Sequence, residues 1–281
     1  ASSETELRGA MGWLIGEEGR GIANILEMVA MTRFDCLVGS AAAMRQHMTQ
    51  IIHHTHHRQA FGNYLDKQPL MQNVLADLEL EAEAATHMAF RVGRALDSAV
   101  DGNEQEASFA RIATAVGKYW VCKRQPGHAY ESMECIGGSA VMENSLMPRF
   151  YREAPINTIW EGSGNVQCLD VLRAMKNDPA TLEAFIAEVA LATGKDNRFD
   201  TYLNNLKNEF ADLGDVQYRA RALVEKMALA LQGSLLLRNA PDAVAEAFIS
   251  GRLSGVSGNT YGMLPKGVDC VALIDRGRIE Q

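Results

Sequence analysis

The sequence lacks any long apolar run. Of its 281 residues 47% are hydrophobic, yet they nowhere approach the roughly 20 consecutive apolar residues that a membrane span needs. We therefore expect a soluble, cytoplasmic protein with no membrane partner. This hydrophobic content is enough for the core of one large or two modest domains.

Paired cysteines are also missing. The five cysteines are scattered and never form a Cys-x-x-Cys pair; they are Cys36, Cys122, Cys135, Cys168 and Cys270. This pattern argues against a disulfide framework and a zinc site, and it is typical of buried free thiols in a reducing compartment. His53 and His57 share a helix face, but no acidic or cysteine ligand lies near them in sequence. We therefore expect no metal site.

The chain has no excess of positive charge. It has 27 lysines and arginines against 35 aspartates and glutamates, a formal net charge of −8. Non-specific binding of nucleic acid by the whole molecule is therefore disfavoured, which leaves only a local basic face. Arg219, Arg221, Lys226 and Arg238 are the candidates for such a face. Interleaved acids make an ordinary solvated face of mixed charge an equal alternative.

Helical periodicity is the strongest signal that the sequence does have. Apolar residues recurring at steps of three and four predict helices over residues 21–57, 71–96 and about 104–123. Pro126-Gly127 separates the third helix from a short fourth one, which ends near Gly137. Helices joined by short turns favour an antiparallel bundle.

These patterns divide the chain into three regions. Residues 1–20 are typical of strand and turn, as in the tail of a β domain whose other strands lie upstream. Residues 21–177 contain the bundle, with an irregular stretch over 138–165 that we expect to be functional. Residues 178–281 form an extra C-terminal helical domain that becomes irregular around Gly251. The predicted fold class is all-α, a four-helix bundle plus an additional helical region, with a short β remnant at the N-terminus.

Motifs in and around the irregular stretch resemble a known family. They are Glu131 to Gly138 (ESMECIGG), Pro148 to Pro155 (PRFYREAP) and Ile159 to Asn165 (IWEGSGN). In this order and spacing they resemble the C-terminal helical domain of acyl-CoA dehydrogenases, where a Gly-Gly turn, an Arg-acid pair and a Tyr-Glu-Gly-Thr loop follow one another. Arg58 to Gly62 (RQAFG) is similar to the family's Arg-x-x-Phe-Gly turn.

Other features resemble the AidB-type branch of this family. They are Trp160 in place of the tyrosine, the run Cys168 to Arg173 (CLDVLR), and the helices after Pro179 that short members lack. Two positions depart from the family pattern. Ala140 replaces the third glycine of the Gly-Gly-x-Gly turn, and Thr32 stands where some members place a catalytic glutamate.

The resemblance implies FAD as the cofactor and Glu161 as the general base. Dehydrogenation of an acyl thioester removes the α-proton while a hydride leaves the β-carbon for the flavin, and a carboxylate at the flavin face performs the first part. The alternative role of Glu161 is to cap the helix that begins near Asn165, where negative charge suits the helix dipole.

The resemblance also implies cofactor contacts, each with a structural alternative. Arg58 would contact the flavin pyrophosphate, or satisfy the carbonyls at the end of its own helix. Gly137 and Gly138 would let the dinucleotide approach closely, or end a helix. Ser163 and Asn165 would bond the cofactor, or act as N-caps. The full predicted cofactor set is Arg58, Phe61, Glu134, Gly137, Gly138, Ser163 and Asn165.

In this family the pyrophosphate and adenosine contacts come partly from a neighbouring subunit, which implies a homo-oligomer, typically a tetramer.

The leading hypothesis is an AidB-type flavoprotein with acyl-CoA as substrate, a role in the response to DNA alkylation, and double-stranded DNA as a candidate partner. Arg173 is a further DNA candidate near the flavin. The alternatives are a catabolic acyl-CoA dehydrogenase for a branched or unusual acyl chain, and a DNA-binding or scaffold protein with a structural flavin. We expect this chain alone to fold but to bind FAD weakly or not at all, because the domains that enclose the flavin in this family lie outside it.

Overall fold

The computed structural model describes residues 3–255 and 258–279, and helices dominate it. The long helices of the first half are α1 (Gly21–His57), α2 (Pro69–Val100) and α3 (Glu104–Ile136). An antiparallel hairpin of two strands, β1 (Gln59–Ala60) and β2 (Asn63–Tyr64), connects α1 to α2. The helices that follow are α4 (Met147–Glu153), α5 (Ile156–Ile159), α6 (Gly164–Asn177), α7 (Pro179–Ala190), α8 (Asn197–Glu209), α9 (Val216–Asn239), α10 (Asp242–Phe248) and α11 (Cys270–Gly277). Within these described ranges no helix is long and apolar enough to cross a membrane.

The first three helices pack against one another and α6 packs against α3, which confirms the predicted all-α fold class. Their apolar faces form a continuous core in which Met44, Leu78, Val116 and Val171 are fully buried. Burying one such side chain contributes about 1.5–3 kcal/mol. The ends of α1 and α2 lie close to their predicted positions. Helix α1 was predicted over 21–57 and spans Gly21–His57, and α2 was predicted over 71–96 and spans Pro69–Val100.

The predicted break in the third helix is wrong. Helix α3 continues through Pro126 to Ile136, although a proline inside a helix removes one backbone hydrogen bond and costs about 3 kcal/mol. The reason is tertiary packing, because residues on both sides of the proline, Cys122 and Gln125 before it and Ala129 after it, are buried. The helix ends instead at Gly137, whose φ of 80° is the left-handed conformation that favours glycine.

Helix α2 is enclosed on all sides in its middle. Every residue from 75 to 85 is buried, including Asp77, Glu79, Glu81 and Glu83. The reason is that α9 and α11 cover the face that the bundle leaves open. The C-terminal residues supply cations to these acids: Arg252 pairs with Asp77 and Glu81, and Arg276 pairs with Glu83. Arg278 pairs with Asp66 in the turn before α2.

Three other segments differ from their predicted character. Residues 3–20 contain neither helix nor strand, so the strand expected there is not formed, and the prediction that they are the tail of a β domain stays a prediction. The stretch 138–165 contains α4, α5 and a short 3-10 turn at Gly138–Val141 rather than irregular chain throughout. The region predicted to become irregular around Gly251 contains a π-helical turn at Ile249–Leu253 and, further on, α11. The division of the chain at residue 178 also stays a prediction.

Candidate active site

Glu161 lies in the short loop between α5 and α6, and its backbone is held from several sides. Its φ of 59° is a left-handed conformation that is uncommon for a residue with a side chain. The Glu161 carbonyl accepts hydrogen bonds from Arg33 Nε and Gln167 Nε2, each at 3.0 Å. Strained backbone of this kind persists when its surroundings fix it, and it occurs often at functional sites.

Lys118 fixes the same loop from inside the bundle. Its side chain lies on α3 and the residue is 1% exposed. The Lys118 ammonium donates to the carbonyls of Trp160 at 2.9 Å and Gly162 at 2.6 Å, on either side of Glu161. Burial lowers the pKa of Lys118, since removal from water disfavours its charged form. The two carbonyl oxygens are the polar partners that this buried ammonium needs.

Asp170 links the middle of α6 to α1 and α3. Its buried carboxylate accepts two bonds from Arg111, at 2.9 and 3.0 Å, and a third from Arg33 Nη1 at 2.9 Å. Arg33 therefore joins α6 to the Glu161 loop. Neither Asp170 nor Lys118 was predicted as a site residue. A single lysine inside the apolar run ATAVGKYWV of α3 was the one available signal for Lys118.

The Glu161 side chain is half-buried and faces a cavity of about 470 Å³. The lining residues come from α1, α3, α4, α5 and the loop, and are Thr32, Asp35, Cys36, Gly39, Ala43, Gln125, Phe150, Glu153, Asn157, Trp160 and Glu161. Burial raises the pKa of the Cys36 thiol, and the nearby Glu161 carboxylate adds to the rise. Trp160 Nε1 donates to Asn157 Oδ1 at 3.0 Å, which orients the indole beside the cavity.

The capping alternative for Glu161 has no contact to support it. Among the described residues the Glu161 carboxylate makes no side-chain hydrogen bond to the start of α6. Ser163 occupies the N-cap position of α6 but its side chain forms no cap hydrogen bond. Ser163 and Asn165 are both exposed next to Glu161, and neither lines its cavity.

A second cavity brings three predicted cofactor residues together. Glu134, Gly137 and Gly138 line a shallow space of about 560 Å³ at the end of α3, together with Tyr130, Met133, Val141 and Tyr151. Space around the two glycines is open, because a Cβ atom added at either one would meet no other atom within 4 Å. An aromatic pair, Tyr130 and Tyr151 with ring centroids 6.4 Å apart, borders the space.

Arg58 and Phe61 lie apart from both cavities. They belong to the hairpin after α1, where Phe61 is 97% exposed and has a φ of 52°. Arg58 is also exposed, and it forms no ion pair with any residue in the described part of the chain. The predicted cofactor residues thus occupy separate surface positions. Their exposure and open surroundings fit a large dinucleotide that approaches from outside this chain.

Three of the four cations predicted as a basic strip lie on α9 in ion pairs. Glu209 pairs with Arg219 at 2.6 Å and also with Lys226. Arg238 pairs instead with Glu188 at 2.5 Å, where α7 and α9 meet. Acids on α7 and α8 therefore reduce the positive charge that these three side chains present to solvent.

The remaining basic candidates lie around α6. Arg221 is exposed beside Tyr119 and the first turn of α6. Arg173 has a side chain 67% exposed and lies 3.6 Å from Asp170. It does not line the Glu161 cavity. Whether these residues contact DNA stays a prediction.

The histidines at the end of α1 are engaged locally. His56 Nδ1 lies 2.8 Å from Asp66 Oδ2, and His57 Nδ1 lies 2.8 Å from the His53 carbonyl. Across residues 3–255 and 258–279, no three or more histidine, cysteine or acidic side chains are grouped as metal ligands would be.

The helical bundle and the Glu161 loop define the class of protein. Residues 19–176 match the C-terminal domain of acyl-CoA dehydrogenases, and the chain belongs to this family. It is 40% identical over 248 residues to the putative acyl-CoA dehydrogenase AidB of Escherichia coli (strain K12), an alignment that covers 88% of this chain and 45% of that protein. The resemblance to AidB-type proteins is therefore confirmed. The chain is also 31% identical over 234 residues to acyl-CoA dehydrogenase family member 11 of Caenorhabditis elegans, an alignment that covers 83% of this chain and 38% of that protein.

Solved structures share the fold. The crystal structure of Caenorhabditis elegans ACDH-11 in complex with C11-CoA superposes with a TM-score of 0.78 at 27% identity, covering 85% of this chain and 46% of that one. An acyl-CoA dehydrogenase complexed with FAD from Bacillus anthracis superposes with a TM-score of 0.62 at 19% identity, covering 92% and 49%. The chain spans less than half the length of each of these relatives.

Proposed function

We propose that this chain works in an FAD-dependent acyl-CoA dehydrogenase of the AidB type, with Glu161 as the general base. One observation carries the proposal: Glu161 faces a cavity of about 470 Å³ while buried Lys118, Arg33 and Gln167 hold the carbonyls of its loop. Family membership supports FAD as the cofactor, and the ACDH-11 complex with C11-CoA supports an acyl-CoA substrate.

The chain's own part in the chemistry is the removal of a proton. FAD, when bound, supplies the acceptor for the hydride that leaves the β-carbon. The Glu161 carboxylate would take the α-proton, and this step needs a carboxylate oxygen close to the α-carbon that carries that proton. A backbone fixed on both sides of Glu161 limits the positions of this carboxylate, which favours a productive geometry.

The cofactor contacts are proposed with the same function. Glu134, Gly137 and Gly138 border an open cavity that would admit the adenosine part of FAD. The exposed guanidinium of Arg58 would bond two oxygens of the pyrophosphate. Because Arg58 and the Gly137 turn lie at separate surface positions, we propose that they serve cofactors of neighbouring subunits in a homotetramer.

The test is Glu161→Gln in protein loaded with FAD. If Glu161 is the base, flavin reduction by an acyl-CoA should slow on the order of 10²-fold or more. The matched control is Glu153→Gln, a second carboxylate on the same cavity wall, which should cost much less. An unchanged reduction rate in Glu161→Gln would refute Glu161 as the general base. A flavin that no acyl-CoA reduces, even with Glu161 in place, would favour the structural-flavin alternative. Efficient turnover of one branched acyl-CoA would favour the catabolic alternative.

Contact with DNA, and with it a role in the response to alkylation, is a second candidate function. The supporting observation is that the guanidinium groups of Arg33, Arg111 and Arg173 surround the single carboxylate of Asp170, so positive charge is in excess there. Phosphate contacts release counterions, so Arg173→Ala should lower the salt dependence of DNA affinity by about one unit of slope. Arg219→Ala is the control, because Arg219 is engaged in an ion pair with Glu209 at 2.6 Å and its side chain is less exposed than that of Arg173. Equal effects of the two variants in fluorescence anisotropy would contradict a site at Asp170.

A further inference from the structure

The cavity that Glu161 faces extends along α1. Thr32, Cys36, Gly39 and Ala43 follow one another on this wall at helical spacing. At 1.5 Å per residue, the helix from Thr32 to Ala43 covers about 16 Å. Glu161 lies at the Thr32 end, because Arg33 bonds its carbonyl. The absent side chain of Gly39 and the small one of Ala43 leave the other end open to an acyl tail.

Gln125 of α3 borders the same cavity towards the Ala43 end, because Cys122 and His128, on either side of it in sequence, contact Ser40 and His47 of α1. The residue is 3% exposed, and its Oε1 is buried without a hydrogen bond from any described residue. A buried acceptor left without a donor is unfavourable, and most such atoms in proteins have partners. A ligand that donates a hydrogen bond to Gln125 would remove this cost.

His47 provides a second unpartnered acceptor nearby. Its ring lies 5.3 Å from Phe150, which lines the cavity. His128 Nε2 lies 3.1 Å from the Leu78 carbonyl, so this nitrogen must carry the ring proton. His128 Nδ1 is then the acceptor for His47 Nδ1 at 3.1 Å, which leaves His47 Nε2 as a lone-pair acceptor. That atom too is buried without a partner in the described residues.

The charged groups on the cavity wall are all acidic. Asp35, Glu153 and Glu161 supply carboxylates, and no lysine or arginine is among the described residues that line the space. A tail that ends in a carboxylate would therefore meet like charge. A purely alkyl tail would leave the Gln125 acceptor unpartnered.

We propose that this cavity selects acyl groups whose far end carries a neutral hydrogen-bond donor such as a hydroxyl, and that Gln125 determines this specificity. The proposal rests on the proposed function, because Glu161 must position the thioester end of the same acyl group. Sites built to bond a substrate hydroxyl discriminate strongly against analogues that lack it, since their own buried polar groups are then left unpaired.

The test compares acyl-CoA esters of equal length that end in methyl, hydroxyl or carboxylate. Affinity is measured by calorimetry and flavin reduction by stopped flow, both on protein loaded with FAD. We expect the hydroxyl-ended ester to bind about tenfold more tightly than the methyl-ended one, and the carboxylate-ended ester to bind most weakly. Gln125→Leu should bring the hydroxyl-to-methyl ratio close to one. The matched control is Gln46→Leu, an exposed glutamine of α1, which should keep the ratio.

Each outcome decides the proposal. Equal affinities for the hydroxyl and methyl esters would overturn it, as would a preference that survives in Gln125→Leu. If Gln125→Leu does not fold, Ala43→Leu places a larger side chain from α1 at the same end of the cavity. An unchanged preference for the hydroxyl ester over the methyl ester in that variant would also overturn the proposal. If no ester reduces the flavin, the proposed dehydrogenase function fails, while the calorimetric ratio still tests the tail preference separately.

Discussion

Replacing Lys118 by methionine is the most direct test of how the Glu161 loop is held. The substitution keeps an apolar stem of similar length in a site that is 1% exposed, and it removes the donors to the Trp160 and Gly162 carbonyls. The matched control is Lys123→Met, since Lys123 lies on the same helix with an exposed side chain.

The expected loss follows from the contacts that disappear. Hydrogen bonds from a charged group contribute about 1.5–3 kcal/mol each. The Gly162 carbonyl keeps a donor, because Gln167 Nε2 lies 2.9 Å away. The lowered pKa of Lys118 indicates that burial of its charge already costs stability, so part of the loss is offset. We expect a net decrease of about 2–3 kcal/mol in the free energy of unfolding, and a melting temperature about 5–10 °C lower.

Urea denaturation followed by circular dichroism measures this difference, with thermal melting as a second readout. A relaxed loop would also move the Glu161 carboxylate, so flavin reduction in FAD-loaded protein should slow as well. A stability loss in Lys118→Met below about 0.5 kcal/mol, the range of ordinary surface substitutions, would show that the ammonium does not hold the loop. So would a loss no larger than that in Lys123→Met.

Two further predictions concern the charges on α2. Arg252→Met should lower the free energy of unfolding by about 3–5 kcal/mol in urea, because it leaves the buried Asp77 carboxylate without its cation. Adding Asp77→Asn should recover part of that loss, and an additive double mutant would contradict the pairing. Burial raises the pKa of Glu79 to about 8, only partly offset by Arg45. Because its folded pKa lies above the unfolded one, Glu79 contributes stability that is complete below about pH 4.5 and is lost as the pH rises towards 8. Glu79→Gln should flatten the fall of melting temperature across this window, and an unchanged slope would assign that fall to other groups.

Local sequence patterns were sufficient to predict α1, α2 and the loop of Glu161, because apolar spacing and turn residues act within a few positions. They were insufficient for the contacts that fix the site. Arg33 and Asp170 are separated by 137 positions, and Lys118 bonds carbonyls more than 40 positions away. Such pairs leave no periodic signal. Pro126 misled the prediction for the opposite reason, since a strong local preference gave way to packing on both sides of the residue.

The acids of α2 show how closely the C-terminal helices depend on the bundle. Asp77, Glu81 and Glu83 would be typical of a solvated helix face, yet all three are buried. Their cations include Arg252 and Arg276, from beyond residue 178. Without those arginines each buried carboxylate would lose a cationic partner, a loss that is strongly destabilising. Helix α2 therefore packs against both the other bundle helices and the C-terminal helices. The buried acids of α2 have their cationic partners only when the C-terminal helices are packed against the bundle that positions Glu161.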